Sequence, residues 1–279
     1  MSKLTKIVLS LLCVILISIW AAIAQAPDDK FHLSVLNVGQ GDSILIQDPG
    51  GKNILVDGGP DNSILNELGQ KIPFYNRNID AIILTHPHAD HLFGLIEVLK
   101  RYNVGQIYLT GVTQTTNEYL EFLQLVKDKN IPTKIVKAGD DLRFDDTNIK
   151  VLWPKEDLTG KTVENLNLSS MVVKVGYHNF SALLLGDLEK DSQTGMMKDQ
   201  TIGKIDVIKI AHHGSANGIN TELLDQTKPS LAIISVGADN KYGHPALLTI
   251  TELTKRNIQI KRTDRDGTIT IISDGEKFW

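Results

Sequence analysis

Beyond residue 30 the apolar residues fall into short runs broken by glycine, proline and polar residues. Residues 31–37 alternate, with Phe31, Leu33 and Val35 against His32 and Ser34, which is the pattern of a half-buried strand. Val38-Gly39-Gln40-Gly41-Asp42 ends that run in a tight loop. Strands are predicted at 43–48 and 53–57, joined by the turn Pro49-Gly50-Gly51-Lys52, so the opening reads as a β-meander ending in Asp57-Gly58-Gly59-Pro60. The period then changes. Helical spacing is found at 61–72, 92–101 and 116–128, with strands at 81–85, 106–109 and 132–136 between and after them.

The second half repeats this order without detectable sequence repetition. A strand at 148–153, a polar loop at 154–168 and a hairpin of 171–177 with 180–185 deliver Gly186-Asp187 at a strand end. A polar helix near 190–199 precedes a strand at 205–210 that runs into Ala211-His212-His213-Gly214-Ser215. A helix at 221–227, a strand at 231–236, a loop reaching Gly243-His244-Pro245, a helix at 246–256 and strands at 258–262 and 268–273 complete the chain. Two β-rich halves with helices outside predict an α/β fold of four layers, an αββα sandwich, formed by residues 27–279 as one domain.

Residues 1–26 stand apart from that core. Lys3 and Lys6 precede an almost unbroken apolar run over 7–24, and Ala24-Gln25-Ala26 has the small-x-small form of a signal-peptidase site. This predicts export, with residues 1–26 either removed or kept as an N-terminal membrane anchor, and a hydrolytic domain that is extracytoplasmic, secreted or anchored. The single cysteine, Cys13, lies within this segment, so the remainder has neither disulfides nor thiolate ligands. Without Lys3 and Lys6 the chain carries 27 basic against 33 acidic residues, a formal net charge of −6. Such a balance argues against a broad electrostatic footprint for nucleic acid. No protein partner is evident.

The densest chemistry is in Thr85-His86-Pro87-His88-Ala89-Asp90-His91, which holds three of the chain's eight histidines directly after the apolar run Ala81-Ile82-Ile83-Leu84. Neutral imidazole and carboxylate are ligands for a borderline cation such as Zn²⁺. Histidines at i and i+2 can face one ion only from a non-helical turn, which Pro87 favours. Asp90 and His91 then point elsewhere, so the spacing suggests two adjacent metals, one per pair.

His-x-His-x-Asp-His after a strand, with Asp57-Gly58-Gly59 upstream, resembles the metallo-β-lactamase superfamily. Val38-Gly39-Gln40-Gly41-Asp42, Leu185-Gly186-Asp187, His212-His213-Gly214-Ser215 and Tyr242-Gly243-His244-Pro245 narrow the resemblance to the soluble hydrolase domain of ComEC-type DNA-uptake competence proteins. It extends from about residue 31 to the C terminus. The resemblance implies two divalent cations, Zn²⁺ or Mn²⁺. His86 and His88 would hold the first, Asp90 and His91 the second, and Asp187 would bridge them. One of His212 and His213 would complete the second site. If 205–213 is an extended strand, neighbouring side chains face opposite ways and only one of the two can be a ligand, with His213 favoured.

Asp57 is expected to orient a ligand or the bound water rather than bind directly. Most superfamily members carry a further histidine between 150 and 180. Here the available residues are Asn165, Asn167, Ser169 and Ser170, weak ligands that make Mn²⁺ a rival to Zn²⁺. Asp90 or Asp187 would accept the proton of the attacking water, and His244 would contact the leaving group or a substrate phosphate. Lys241 and Asn240 are candidates for anion binding, whereas His32 and His178 receive no role. The leading expectation is a phosphodiesterase or nuclease acting on DNA outside the membrane. The alternatives are hydrolysis of a small ester, lactone, β-lactam or cell-envelope phosphodiester, and a metal-stabilised binding protein without activity.

Overall fold

Residues 2–24, 28–199 and 201–279 are described by the computed structural model. Helix α1 (Lys3–Ala24) exposes its large apolar side chains from Leu4 to Ile19. Among the described residues no helix is long and apolar enough to cross a membrane. Gln25 and Ala26 of the expected cleavage site lie outside the described residues.

The predicted meander forms β1 (Phe31–Val35), β2 (Ile44–Gln47) and β3 (Asn53–Val56), paired antiparallel. Helices α2 (Ser63–Lys71), α3 (Ala89–Arg101) and α4 (Asn117–Asp128) then alternate with β4 (Asn78–Ile83), β5 (Asn103–Leu109) and β6 (Thr133–Ile135), whose pairings, including β3 with β4, are parallel. The second half follows the same plan. The strands β7 (Asp141–Phe144), β8 (Thr147–Trp153), β9 (Val172–Tyr177) and β10 (Phe180–Leu184) are antiparallel. Beside β10, β11 (Val207–Lys209), β12 (Leu231–Ile234) and β13 (Gln259–Arg262) run parallel, with α5 (Lys190–Asp199), α6 (Thr221–Thr227) and α7 (Leu247–Lys255) between them. After the short α8 (Thr263–Asp266), β14 (Ile269–Ser273) crosses back and pairs antiparallel with β1. The sheets are therefore β14-β1-β2-β3-β4-β5-β6 and β13-β12-β11-β10-β9-β8-β7.

Strand alternation builds three apolar layers. Phe31, Leu33, Val35, Ile44, Ile46 and Ile54 of the first sheet meet Val151, Val173, Val175, Ala182 and Ile233 of the second in the layer between the sheets. Leu45, Leu55 and Ile82 point the other way, onto α2, α3 and α4, and Leu183, Ile208 and Ile234 line the outer layer of the second sheet. The predicted αββα sandwich is the observed architecture. β7 and α8 escape the periodicity because each is short and carries only one buried residue, Leu142 in β7 and Thr263 in α8.

The turn after β3 lies directly against α3. The Gly58 amide donates to His91 O (2.7 Å) and the Gly94 amide to Gly59 O (3.0 Å). A Cβ on Gly94 would lie 1.9 Å from Gly58 O, so the helix touches the turn through bare backbone. In an exposed helix, alanine is favoured over glycine by about 1 kcal/mol. Gly94→Ala should reverse that sign and destabilise by about 1–3 kcal/mol through overpacking, read as a lower midpoint in urea unfolding.

Candidate metal centre

Strand β4 ends at Ile83 and α3 begins at Ala89, so His86 and His88 leave the backbone from an extended connector while Asp90 and His91 sit in the first helical turn. His88 is the N-cap residue, with φ −77 and ψ 152. The His86 and His88 rings meet through His86 Nε2 and His88 Nδ1, 2.9 Å apart. Asp187 follows β10 through Gly186, at φ +51, and its carboxylate reaches the same place. Its oxygens lie 3.9 Å from His86 Nε2, 3.4 Å from His91 Nε2 and 3.8 Å from His213 Nε2.

Two groups of ligand atoms result, each with its members within 4.8 Å of one another: His86, His88 and Asp187, and Asp90, His91, Asp187 and His213. Asp187 belongs to both. His91 Nε2 and Asp187 Oδ1 are buried and have no hydrogen-bond partner. Imidazole nitrogen and carboxylate oxygen left bare in a dry site are costly unless something binds them, and a divalent cation suits this donor set.

The surrounding residues fix the rings. Asp57 accepts from the Thr85 amide (2.8 Å), the Thr85 hydroxyl (2.7 Å) and His91 Nδ1 (2.7 Å). The bond to Nδ1 turns His91 Nε2 toward Asp187. Since the Thr85 hydroxyl proton goes to Asp57, His86 Nδ1 is the donor in its contact with Thr85 Oγ1 (3.1 Å), which frees Nε2. Ser170 Oγ lies 3.3 Å from His86 Nδ1 and accepts from the Asp187 amide (3.1 Å). Of the four residues expected to stand in for a missing histidine, only Ser170 touches this network. Asn165 and Asn167 donate to Glu189 Oε1, and Ser169 donates to Leu166 O, so these three hold the turn.

The expectation of an extended strand through 213 is corrected. β11 ends at Lys209, and His212-His213-Gly214 form a 3₁₀ turn in which both histidines have positive φ, 50 and 53. The strand-alternation argument therefore does not apply, and both rings turn toward Asp187, His212 Nε2 at 4.0 Å. Burial separates them, because His213 is enclosed while His212 is 30 % exposed. His213 Nδ1 faces Ser235 O (3.1 Å), leaving Nε2 3.0 Å from Asp90 Oδ2. Asp57, His212 and His213 are all non-glycine residues in the left-handed region, where strain of about 1–3 kcal/mol per residue persists only if the surroundings impose it.

His244 stands beside His212, with ring centroids 5.7 Å apart, and its buried Nδ1 has no partner. Asn240 does not face an anion: it accepts from the His244 amide and donates to Gly237 O and His244 O, stapling the loop. Lys241 lies over the Tyr242 ring at 5.7 Å. His32 bonds to Asp28 Oδ1 (2.7 Å), away from the centre.

Two residues escaped the sequence reading. Lys209 is fully buried and donates to Asp42 Oδ2 (2.8 Å), while Asp42 Oδ1 lies 3.3 Å from His213 Nδ1. The signal was a lone lysine in the apolar run Val207-Ile208-Lys209-Ile210. Gly41 was also passed over: a Cβ there would lie 2.3 Å from Asp90 O, so the loop before β2 lies against the first turn of α3.

The two halves of the centre differ in charge. Burial, reinforced by His91, depresses the His86 pKa well below the ordinary histidine value, and burial also lowers His88. Both rings are therefore neutral. Burial acts the same way on His91, but the Asp187 and Asp57 carboxylates outweigh it and raise that ring well above its ordinary value. For His213, Asp187, Asp42 and Asp90 overcome burial and push the pKa up to about 9. Burial works to raise Asp187 and Asp90, yet the neighbouring histidines hold both below the usual carboxylate range. Asp42 is held at about 2, because Lys209 and His213 outweigh its burial.

Residues 36–238 match the Metallo-beta-lactamase superfamily. The chain is 32% identical over 256 residues to ComE operon protein 3 of Bacillus subtilis, covering 85% of this chain and 32% of that protein, so it spans about a third of that relative's length. It is 28% identical over 129 residues to exodeoxyribonuclease YycJ of Bacillus anthracis, covering 45% of this chain and 46% of that one. The solved metallo-beta-lactamase fold protein YhfI from Bacillus subtilis shares the fold, with a TM-score of 0.59 and 14% identity over 88% of this chain and all of that one.

Two measurements test this electrostatic picture. Metal titrated into the chelated protein at neutral pH should displace protons from His91 and His213, so the calorimetric enthalpy should change with the ionisation enthalpy of the buffer. Asp57→Asn should weaken metal binding by about 10–100-fold with little change in fold, read from a competition titration and circular dichroism.

Proposed function

This chain belongs to the metallo-beta-lactamase superfamily of metal-dependent hydrolases, and from there we propose that it cleaves phosphodiester bonds of DNA at a centre holding two divalent cations. One observation carries the reading: Asp187 is shared by the His86–His88 group and the Asp90–His91–His213 group. The names of the competence and exodeoxyribonuclease relatives support the choice of substrate. His86, His88 and Asp187 would hold the first cation, and Asp90, His91, His213 and Asp187 the second. Zn²⁺ and Mn²⁺ both suit these nitrogen and oxygen donors. When bound, such cations lower the pKa of water toward neutrality and neutralise charge building on the phosphoryl oxygens.

The protein's own groups divide the remaining work. Asp187 is buried and shared, so it fixes the spacing of the two halves. The Asp90 side chain is 33% exposed and lies at the open side, which makes it the carboxylate placed to accept the proton of the attacking water. His244, half-buried with a bare Nδ1, faces the same opening and would give a proton to the leaving oxygen or hold a phosphate oxygen. Asp57 and Ser170 keep His91 and His86 from rotating.

Export belongs to the same proposal, supported by Lys3, Lys6 and the apolar residues that follow, and would place the reaction outside the cytoplasm. N-terminal sequencing of the protein recovered from its host would separate removal of residues 1–26 from their retention as an anchor. The formal charge of −4 favours a second reading, hydrolysis of a small ester, lactone, β-lactam or cell-envelope phosphodiester. The purified protein loaded with Mn²⁺ or Zn²⁺ should cleave DNA and bis-p-nitrophenyl phosphate. Chelation should abolish both activities, and Asp90→Ala should lower turnover by about 100-fold or more while a fold-dependent spectrum is unchanged. No cleavage of either diester, alongside turnover of a lactone or β-lactam, would replace the DNA reading with the second.

A further inference from the structure

The rim beside His244 is unlike the rest of an acidic surface. Tyr242 is 61% exposed and lies roughly parallel to the His244 ring (centroids 5.8 Å apart, planes at 27°), with the Lys241 ammonium over its ring. Immediately beyond His244, Pro245 and Leu247 open a groove of about 510 Å³ between α7 and β13. Its walls are apolar through Leu247, Ile250 and Ile260 and basic through Arg262 and Arg265. Leu247 is 80% exposed, an unusual position for a leucine beside a catalytic opening.

The charges in this groove are not equivalent. Arg262 is taken up by Asp264, to which its Nε donates at 2.9 Å, and Asp266, the one carboxylate in the wall, accepts from the Arg262 amide (2.7 Å). Arg265 is exposed, and among the described residues it makes no hydrogen bond or ion pair. The strip thus offers, in order from the metal centre, an aromatic face with a cation beside it, an apolar trough and an unengaged guanidinium. A strand of nucleic acid presents the matching series of base face and phosphate.

We propose that this strip, from Tyr242 across Leu247 to Arg265, is the bed for unpaired nucleotides next to the cleaved diester, with a base stacked on Tyr242 and a phosphate on Arg265. The inference rests on the DNA reading above and sharpens it to single-stranded DNA, or a frayed end, because a base inside a duplex has both faces covered. It also accounts for how a chain of net negative charge holds a polyanion: the contact is local, and stacking supplies what overall charge does not. Phosphate contacts by guanidinium are sensitive to salt, so binding along the strip weakens as ionic strength rises.

Tyr242→Ala and Arg265→Glu test this, since both side chains are exposed and neither lies in the metal groups. The metal-loaded full chain and each variant are compared on a single-stranded oligodeoxynucleotide, the same sequence as a duplex, and bis-p-nitrophenyl phosphate, which is too small to reach the strip. Each variant should lower the ratio of kcat/KM for the single strand to that for the small diester by about tenfold, mainly through KM, and affect the duplex less. Equal losses on all three substrates, or none on the single strand, would overturn the strip while leaving DNA cleavage intact, and would assign this rim to another partner. If the unmodified protein cleaves only the small diester, the DNA reading itself fails and the strip fails with it.

Discussion

A carboxylate enclosed among three imidazoles, Asp187, is the group on which the arrangement depends. It is 1% exposed and lies within 4 Å of a ring nitrogen from His86, His91 and His213. An ionised carboxylate in such a place is tolerated only if it is paired or binds a cation. Because the partners come from the connector after β4, the first turn of α3 and the turn after β11, this one residue ties both sheets to one chemical centre. Its local surroundings serve that purpose: the turn at Gly186 carries it past Ser170, whose hydroxyl accepts its amide.

The two sheets are held in register at that end by more than apolar packing. Lys209 continues the inward face of β11, following Val207, and would be unacceptable in the layer between the sheets without Asp42. Asp42 belongs to the loop after β1, so the ion pair crosses from one sheet to the other at the rim of the centre. Loss of either partner would leave a buried charge uncompensated, whereas the pair together costs far less. Gly41, beside it, brings the same loop within van der Waals reach of Asp90, and Ser235 clamps Gly41 O at 2.6 Å. The chemical centre is thus bounded by contacts that are close, polar and local to the strand ends.

Much of this was legible beforehand. Period-two and helical spacing located most strands and the longer helices, because each element must bury one face. The density of His86, His88, Asp90 and His91 at a strand end identified the metal-like chemistry, and glycines at 58 and 59 marked the sharp turn after Asp57. The reading failed at His212 and His213, where a left-handed turn replaced the expected extended strand, because positive φ at two successive non-glycine residues is imposed by surroundings and has no local signature. It also assigned Asn165, Asn167 and Ser169 to the imidazoles, although Glu189 and Leu166 compete for them more closely in space.

The sequence by itself determined the elements, the four-layer plan and the residue types that meet at the centre, since these follow from local periodicity and ligand chemistry. Only the tertiary structure decided that β14 returns to pair with β1, that Lys209 finds Asp42 across 167 positions, and that Tyr242, the Leu247 groove and Arg265 form one strip beside His244. Those are distances between residues far apart in the chain. They are set by how the sheets face one another across their shared apolar layer, which no single stretch of sequence encodes.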